Sequence, residues 1–242
     1  MISVCIPTYN GAKFIKKQLA SILHQLDTTD EIIISDDGST DSTIDIINEF
    51  SDERLKVFYH NDSCISKYKF NLTTRNISNA ISKASGDIIF LADQDDIWNN
   101  DKVKLCKQYL QNYDLILHDC EIVDQNNELL NSSYFELNNS KPGIVKNIMK
   151  NSYLGCCMVM KRQVINLAMP FPNSEVPHDI WIGLIAEKFG KVIFAPEKLV
   201  RYRRHGNNLS ASGEASTNSI IFKILYRLII LKEFFKKISN IK

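Results

Sequence analysis

The sequence predicts an α/β fold built on a mostly parallel central sheet. Three observations carry this. Short, nearly uninterrupted apolar runs recur at 2–7, 31–35, 55–59 and 87–92, and strands that apolar are buried on both faces, as in sheets covered by helices. Between them lie segments with apolar residues at three- and four-residue spacing, which return the chain for parallel pairing through right-handed crossovers. Three of the four runs end in a polar cluster, at the strand ends where open α/β sheets hold ligands.

The elements follow in order. ISVCIP (2–7) is the first strand. Residues 12–25 form a helix, with Phe14, Ile15, Leu19, Ile22, Leu23 and the adjoining Leu26 on one broad face. EIIIS (31–35) is the second strand, and 41–50 a second helix carrying Ile44, Ile46, Ile47 and Phe50. LKVFY (55–59) is the third strand, 70–84 a third helix ending near Gly86, and DIIFLA (87–92) a fourth strand that runs straight into DQDD. The second half changes character. Residues 114–124 read as two short strands, and 125–152 are rich in Asn and Ser with few apolar residues before Ile144. CCMVMK (156–161) reads as a strand, followed by a short helix and PFPNSEVP. Residues 179–189 form a helix with Ile180, Trp181, Leu184 and Ile185, and KVIFAP and KLVRYRR are two further strands. No repeat or low-complexity tract interrupts the chain. The expected organisation is one domain over 1–218, divided into halves 1–96 and 97–218, with a tail at 219–242.

Composition excludes several classes. The 242 residues are 44% hydrophobic and 24% charged, with a formal net charge of +1. Such a chain is too apolar for disorder, and nine glycines and six prolines are too few for a collagen or linker. The balanced charge argues against a nucleic-acid partner. Six cysteines, at 5, 64, 106, 120, 156 and 157, form no CxxC pair; they are expected to be reduced, buried small apolar residues rather than zinc ligands. No basic region precedes ISVCIP, and no run approaches the roughly 18 apolar residues of a membrane-spanning helix. The expected location is cytoplasmic.

Three polar clusters should meet at one sheet edge: Thr8-Tyr9-Asn10-Gly11, Asp36-Asp37-Gly38-Ser39-Thr40-Asp41, and Asp93-Gln94-Asp95-Asp96. Tyr9 offers a ring to stack on a base, and the carboxylates offer acceptors for a base N–H or a ribose hydroxyl. Ser39 and Asp41 are also well placed to cap the next helix. Three carboxylates within four residues at the end of a buried strand repel one another, and a cation would relieve that cost. Hard divalent ions such as Mn2+ or Mg2+ take oxygen ligands, one or two of them carboxylates and the rest from phosphates and water. On an extended segment Asp93 and Asp95 point to the same side.

These residues resemble family 2 glycosyltransferases of the GT-A fold. The resemblance rests on ISVCIPTYNG, EIIISDDGSTDST, GDIIFLADQDDIW, HDIW and YRRHGNN, in that order over most of residues 1–210. DQDDIW with a late YR-x-H-x-x-N segment is similar to the bacterial rhamnosyltransferase-like branch. The resemblance implies a nucleotide-diphosphate-sugar donor, a divalent cation and inversion at the anomeric carbon. It implies that 1–96 is the nucleotide-sugar half and 97–218 the acceptor-side half. Thr8, Tyr9, Asn10, Asp36 and Asp37 would lie around the nucleotide, Asp93 at the ribose or diphosphate, and Asp95 on the metal. Asp179 would be the general base, with His178 standing where the family often has Glu. His205 would complete the metal or diphosphate site, and Arg201, Arg203 or Arg204 would lie near the phosphates. Arg75 is a further candidate for the nucleotide pocket, or a solvated helix residue. The acceptor implied is a glycan or lipid-linked molecule of cell-surface polysaccharide synthesis.

Two alternatives stay open at this stage. A sugar nucleotidyltransferase would be expected to carry a Gly-rich, Arg-containing loop after the first strand, whereas PTYNGAKF has one glycine. A non-catalytic sugar-nucleotide module would be expected to have lost acidic positions that are all present. No G-x-G-x-x-G follows the first strand, which disfavours a dehydrogenase. Trp98 and Trp181 read as core anchors, and His24, His60 and His118 as surface or satisfied core groups. The tail 219–242 holds six of the 29 Lys and Arg residues and one of the 28 Asp and Glu residues. Residues 1–218 are therefore net acidic, and the basic, apolar tail is expected to touch a membrane surface or a second subunit.

Overall fold

The computed structural model describes residues 1–60, 69–172, 176–206 and 219–241. The elements, in chain order, are β1 (Ile2–Thr8), α1 (Ile15–Leu23), β2 (Glu31–Asp36), α2 (Thr43–Asn48), β3 (Leu55–Tyr59), α3 (Lys69–Lys83) and β4 (Ile88–Leu91). There follow β5 (Ile97–Trp98), α4 (Lys102–Tyr109), β6 (Leu115–Val123), β7 (Leu129–Asn131), α5 (Tyr134–Asn138) and α6 (Ile144–Met149). A 3-10 turn (Gly155–Cys157) then leads into β8 (Met158–Lys161), α7 (Arg162–Ala168), α8 (His178–Phe189), β9 (Val192–Arg203) and α9 (Ile220–Asn240).

One sheet runs through both halves, in the order β3-β2-β1-β4-β8-β6-β9-β5, with β7 on β6. The first four strands pair in parallel, so Thr8 lies beside Asp36 and their carboxyl ends share one edge. β8 then joins β4 in the antiparallel sense and turns the sheet to mixed. Val4, Ile6, Ile32, Ile33 and Ile34 are fully buried, as two-sided burial of continuous apolar strands requires.

The second half departs from the sequence reading in two places, for one reason. Residues 115–123 form one strand, and so do 192–203; each had been expected as two. β6 and β9 run parallel throughout, with register shifts at His118/Asp119 and Asp119/Glu121. At the first shift Ala195 pairs with His118 and Lys198 with Asp119, so Pro196 and Glu197 fall in the skip. A proline there forfeits no ladder bond. Asp119, which breaks the apolar pattern, is buried, and its carboxylate accepts from Ser133 Oγ (2.6 Å), Phe135 N (2.9 Å) and Cys120 N (2.8 Å). The Asn- and Ser-rich stretch is thereby ordered from within, with Ser133 Oγ also capping α5 at Glu136 N.

Trp98 and Trp181 are core residues, 2% and 1% exposed; the Trp181 indole donates to Ala168 O at 2.9 Å. The five described cysteines are buried free thiols, and Cys64 lies outside the described residues. His118 is a buried core group and His24 bonds Ala20 O. Among the described residues no helix is long and apolar enough to cross a membrane.

Candidate active site

The first two polar clusters fold onto each other. Asp36 is turned inward, and its carboxylate accepts from Thr8 Oγ1 (3.0 Å), Ser39 Oγ (2.6 Å), Ser39 N (2.8 Å) and Gly38 N (3.1 Å). Gly38 has φ +79, a conformation that glycine adopts without penalty. Asn10 Oδ1 accepts from Thr40 N (2.8 Å), Asn10 N donates to Ser39 Oγ (2.9 Å), and Asp41 accepts from Ala12 N (3.1 Å). Ser39 and Asp41 therefore cross-link the loops after β1 and β2 as well as turning the chain. The N-cap position of α2 is Ser42, which makes no capping bond.

This frame leaves two groups outward. Tyr9 is 54% exposed, while Gln94 grips its backbone on both sides, accepting from Tyr9 N and donating to Tyr9 O at 3.0 Å each. A Cβ at Gly11 would run into that glutamine. The Asp37 carboxylate meets His60 Nδ1 at 3.0 Å. Asn76, on α3, donates to Thr8 O at 3.2 Å, and the half-buried Arg75 is its neighbour on the helix.

The third cluster is the electrostatic centre. Burial and the charges of Asp95 and Asp179 push the Asp93 carboxyl up to about 7. Burial and its two acidic neighbours push Asp96 well above the usual carboxylate range. Asp95 meets His205 Nε2 at 2.7 Å, and the His205 ring stacks on Phe14 with centroids 5.0 Å apart. The late YRRH segment is thus brought onto the acidic loop by the last residues of β9.

Arg203 is held from the interior. Its guanidinium is buried and donates to Asp95 O (2.7 Å), Asp124 O (3.1 Å) and Gln125 O (3.1 Å), while its backbone N–H reaches Asp96 Oδ1 at 2.8 Å. These bonds tie it to the backbone of the acidic loop and of the turn after β6. Arg201 pairs with Glu121 at 3.2 Å, and Arg204 donates to Tyr202 Oη at 3.3 Å.

Asp179 stands in the first turn of α8, half-buried. It is not the cap, which is Pro177. Its carboxylate accepts from Asn151 Nδ2 (3.2 Å) and from Ile180 N (2.7 Å), and burial raises its pKa. His178 beside it is anchored by Thr74 Oγ1, which accepts its backbone N–H at 3.2 Å. Asp93 feels the Asp179 charge, so the carboxylate that follows β4 and the one in the first turn of α8 lie within electrostatic reach of each other.

A family model described as Glycosyl transferase family 2 matches residues 3–167, more than half of the chain. The chain belongs to glycosyl transferase family 2. This glycosyltransferase is 25% identical to the Escherichia coli UDP-Glc:alpha-D-GlcNAc-diphosphoundecaprenol beta-1,3-glucosyltransferase WfgD, over 88% of this chain and 80% of WfgD. It superimposes on S. aureus TarS 1-349 in complex with UDP-GlcNAc with a TM-score of 0.66 and 20% identity, over 100% of this chain and 73% of that one. It superimposes on the Pyrobaculum calidifontis mannosyltransferase PcManGT, in complex with GDP-Man and Mn2+, with a TM-score of 0.61 and 18% identity, over 100% of this chain and 64% of that one. The fold is GT-A, with the C-terminal helix in addition.

The glycosyltransferase has two candidate donor sets for a divalent cation. Asp93, Asp96 and Cys156 offer atoms within 4.8 Å of one another. That set does not suit Mn2+ or Mg2+: the Cys156 thiol is fully buried and pushed far up by burial, and a hard cation prefers oxygen. Asp95 and His205 fit better, as a carboxylate and an imidazole in contact, with side chains 12% and 15% exposed. Asp93 and Asp96 are raised first by burial and then by their acidic neighbours, and a cation there would relieve the second of these costs.

Some partners in this glycosyltransferase carried no sequence signal. Lys102 is fully buried, donates to Cys156 O at 2.8 Å and lies 4.1 Å from the centre of the Trp98 ring; burial lowers its own pKa, and its charge in turn lowers that of Asp93. In the sequence it is one lysine among several in a polar helix. Gln94, His60 and Asn151 are likewise ordinary polar residues until folding brings them to Tyr9, Asp37 and Asp179.

Proposed function

We propose that this glycosyltransferase moves a sugar from a nucleotide-diphosphate donor to a hydroxyl of a glycan or lipid-linked acceptor in cell-surface polysaccharide synthesis, with inversion and with a divalent cation. The observation that carries the reading is the meeting of Asp95 and His205, 110 residues apart in sequence, at 2.7 Å. It joins the acidic loop to the late histidine, and Gln94 of the same loop bonds the backbone of Tyr9 after β1. That the related WfgD carries a diphosphoundecaprenol acceptor in its name supports the acceptor class.

In this reading Tyr9, Asn10, Asp37 and Arg75 surround the nucleotide, and Asp93 holds the ribose or diphosphate. Thr8, Asp36 and Arg203 act as positioning residues, because their polar groups already bond the loops. Asp95 and His205 would hold the cation, Mn2+ or Mg2+, and its charge would stabilise the nucleoside diphosphate as it departs. Asp179 takes the proton of the acceptor hydroxyl while its oxygen bonds to the anomeric carbon. The electron pair of the broken sugar–phosphate bond leaves with the nucleoside diphosphate, and no covalent enzyme intermediate forms. Residues 1–96 then serve the donor and 97–218 the acceptor. The buried free thiols fit the expected cytoplasmic location.

The test is a thermal-shift screen of nucleotide sugars with and without Mn2+. One donor should raise the melting temperature in a metal-dependent way. Stabilisation by none, or equal stabilisation of the Asp95→Asn variant, would overturn the assignment.

A further inference from the structure

Helix α9 has two apolar faces but buries only one. Ile230 and Phe234 are buried against the body, and Lys237 Nζ donates to Met169 O at 2.8 Å. The opposite face presents Ile220, Ile221, Ile224, Leu225 and Leu228, all at least half exposed. Spaced at one, three and four residues, they form a continuous stripe along the helix. α6, which packs on α9, adds Val145, 77% exposed, and Met149, 56% exposed, and Arg227 Nη2 ties the two helices by donating to Met149 O at 2.7 Å. Contiguous apolar surface of this kind marks an interaction site.

The charge around the stripe selects the partner. Lys232 and Lys236 are exposed on α9, and Glu233 is the one acidic residue of 219–242. On α6 and at its two ends, Lys141, Lys146 and Lys150 stand close enough that the first and last lower the Lys146 pKa, after burial itself. A symmetric pairing of two copies would set these basic rims against each other. An anionic bilayer neutralises them while taking the apolar stripe into its interface.

We propose that the α6–α9 face docks this protein on an anionic lipid surface and turns the acceptor side of the site toward the headgroups. The second clause rests on the proposed function; the first stands without it. α9 packs against α8, which carries Asp179, and Tyr226 on α9 lies within electrostatic reach of that carboxylate. The helix that meets lipid therefore also packs on the helix that carries the proposed base, and an acceptor tethered in the bilayer would reach the site along it.

Vesicle flotation of the full chain tests this without donor or turnover. The wild type should float with phosphatidylglycerol vesicles and not with phosphatidylcholine alone. Ile224→Ser with Leu228→Ser should cut the floated fraction about ten-fold at an unchanged melting temperature, since both positions are exposed. Lys232→Glu with Lys236→Glu should remove the preference for phosphatidylglycerol. Asp179→Asn should float like the wild type, which separates docking from catalysis. Absence of flotation, or equal flotation of the Ser variant, overturns the proposal. So does a wild-type dimer that the Ser variant converts to monomer without any vesicle binding.

Discussion

His205 Nε2 lies 2.7 Å from the Asp95 carboxylate, and the His205 ring is held from behind by Phe14, 5.0 Å away between centroids. Three chain segments, the turn before α1, the acidic loop and the end of β9, thus fix one carboxylate–imidazole pair. Asp95→Asn and His205→Gln should each lower donor turnover by two orders of magnitude or more, on the order of 3 kcal/mol of transition-state stabilisation. Excess Mn2+ should partly rescue His205→Gln and not Asp95→Asn. Turnover kinetics against metal concentration checks this, and metal-independent activity in both variants would refute the pair as the cation site.

Asp179 has its pKa raised by burial, while the Asn151 amide favours the ionised form. A base must be ionised, so activity should rise with pH through an acidic limb set above the ordinary carboxylate value. Asn151→Ala removes a bond to the charged form and should move that limb to higher pH. Asp179→Asn should keep donor binding and lose roughly 100- to 10,000-fold in transfer. A pH–rate profile with no shift in the Asn151 variant would sink this assignment.

Arg203 bonds the carbonyls of Asp95, Asp124 and Gln125 from a buried position. Arg203→Met removes these three donated bonds, Asp124 O keeping the one from Asn127 N, and should cost about 3 kcal/mol of stability. A phosphate contact would instead raise the donor KM at constant melting temperature. Denaturant unfolding alongside donor kinetics distinguishes the two.

Glu31, buried beneath the sheet edge, accepts from Ser3 Oγ (2.6 Å), Ser85 N (2.6 Å), Ser85 Oγ (2.8 Å) and Lys56 Nζ (2.7 Å). Burial alone would raise its pKa, but the bonds from Lys56, Ser3 and Ser85 outweigh it and hold the carboxyl at about 2. Because the folded value is depressed, the stabilisation is complete above the unfolded carboxyl value and is lost as pH falls toward 2. Glu31→Gln should cost about 2 kcal/mol near neutral pH. Its stability should converge on that of the wild type at low pH, as urea unfolding at several pH values would show.

The parallel half of the fold was legible in the sequence because β1, β2 and β4 are buried on both faces and its helices are periodic, although the edge strand β3 is only half-buried. Ile32, Ile33 and Ile34 admit no half-exposed reading, and all three are fully buried. Strand and helix patterns failed at Asp119 and Pro196, each of which looks like a strand end. A register shift absorbs both, and nothing local to either residue announces a partner strand that skips in step.

The site divides along the same line. The sequence by itself determined which residues gather at the carboxyl edge, since strand order and connection handedness leave the loops after β1, β2 and β4 little choice. Only the tertiary structure decided what each group faces. Asp36 and Asp37 are adjacent and chemically identical, yet one is sealed against Thr8 and Ser39 while the other meets His60. Arg203 and His205 are two residues apart, yet one clamps the acidic loop from behind and the other meets its carboxylate. A side chain's residue type sets its possible bonds, but burial and partners from distant segments select among them, and those distances exist only once the chain has closed.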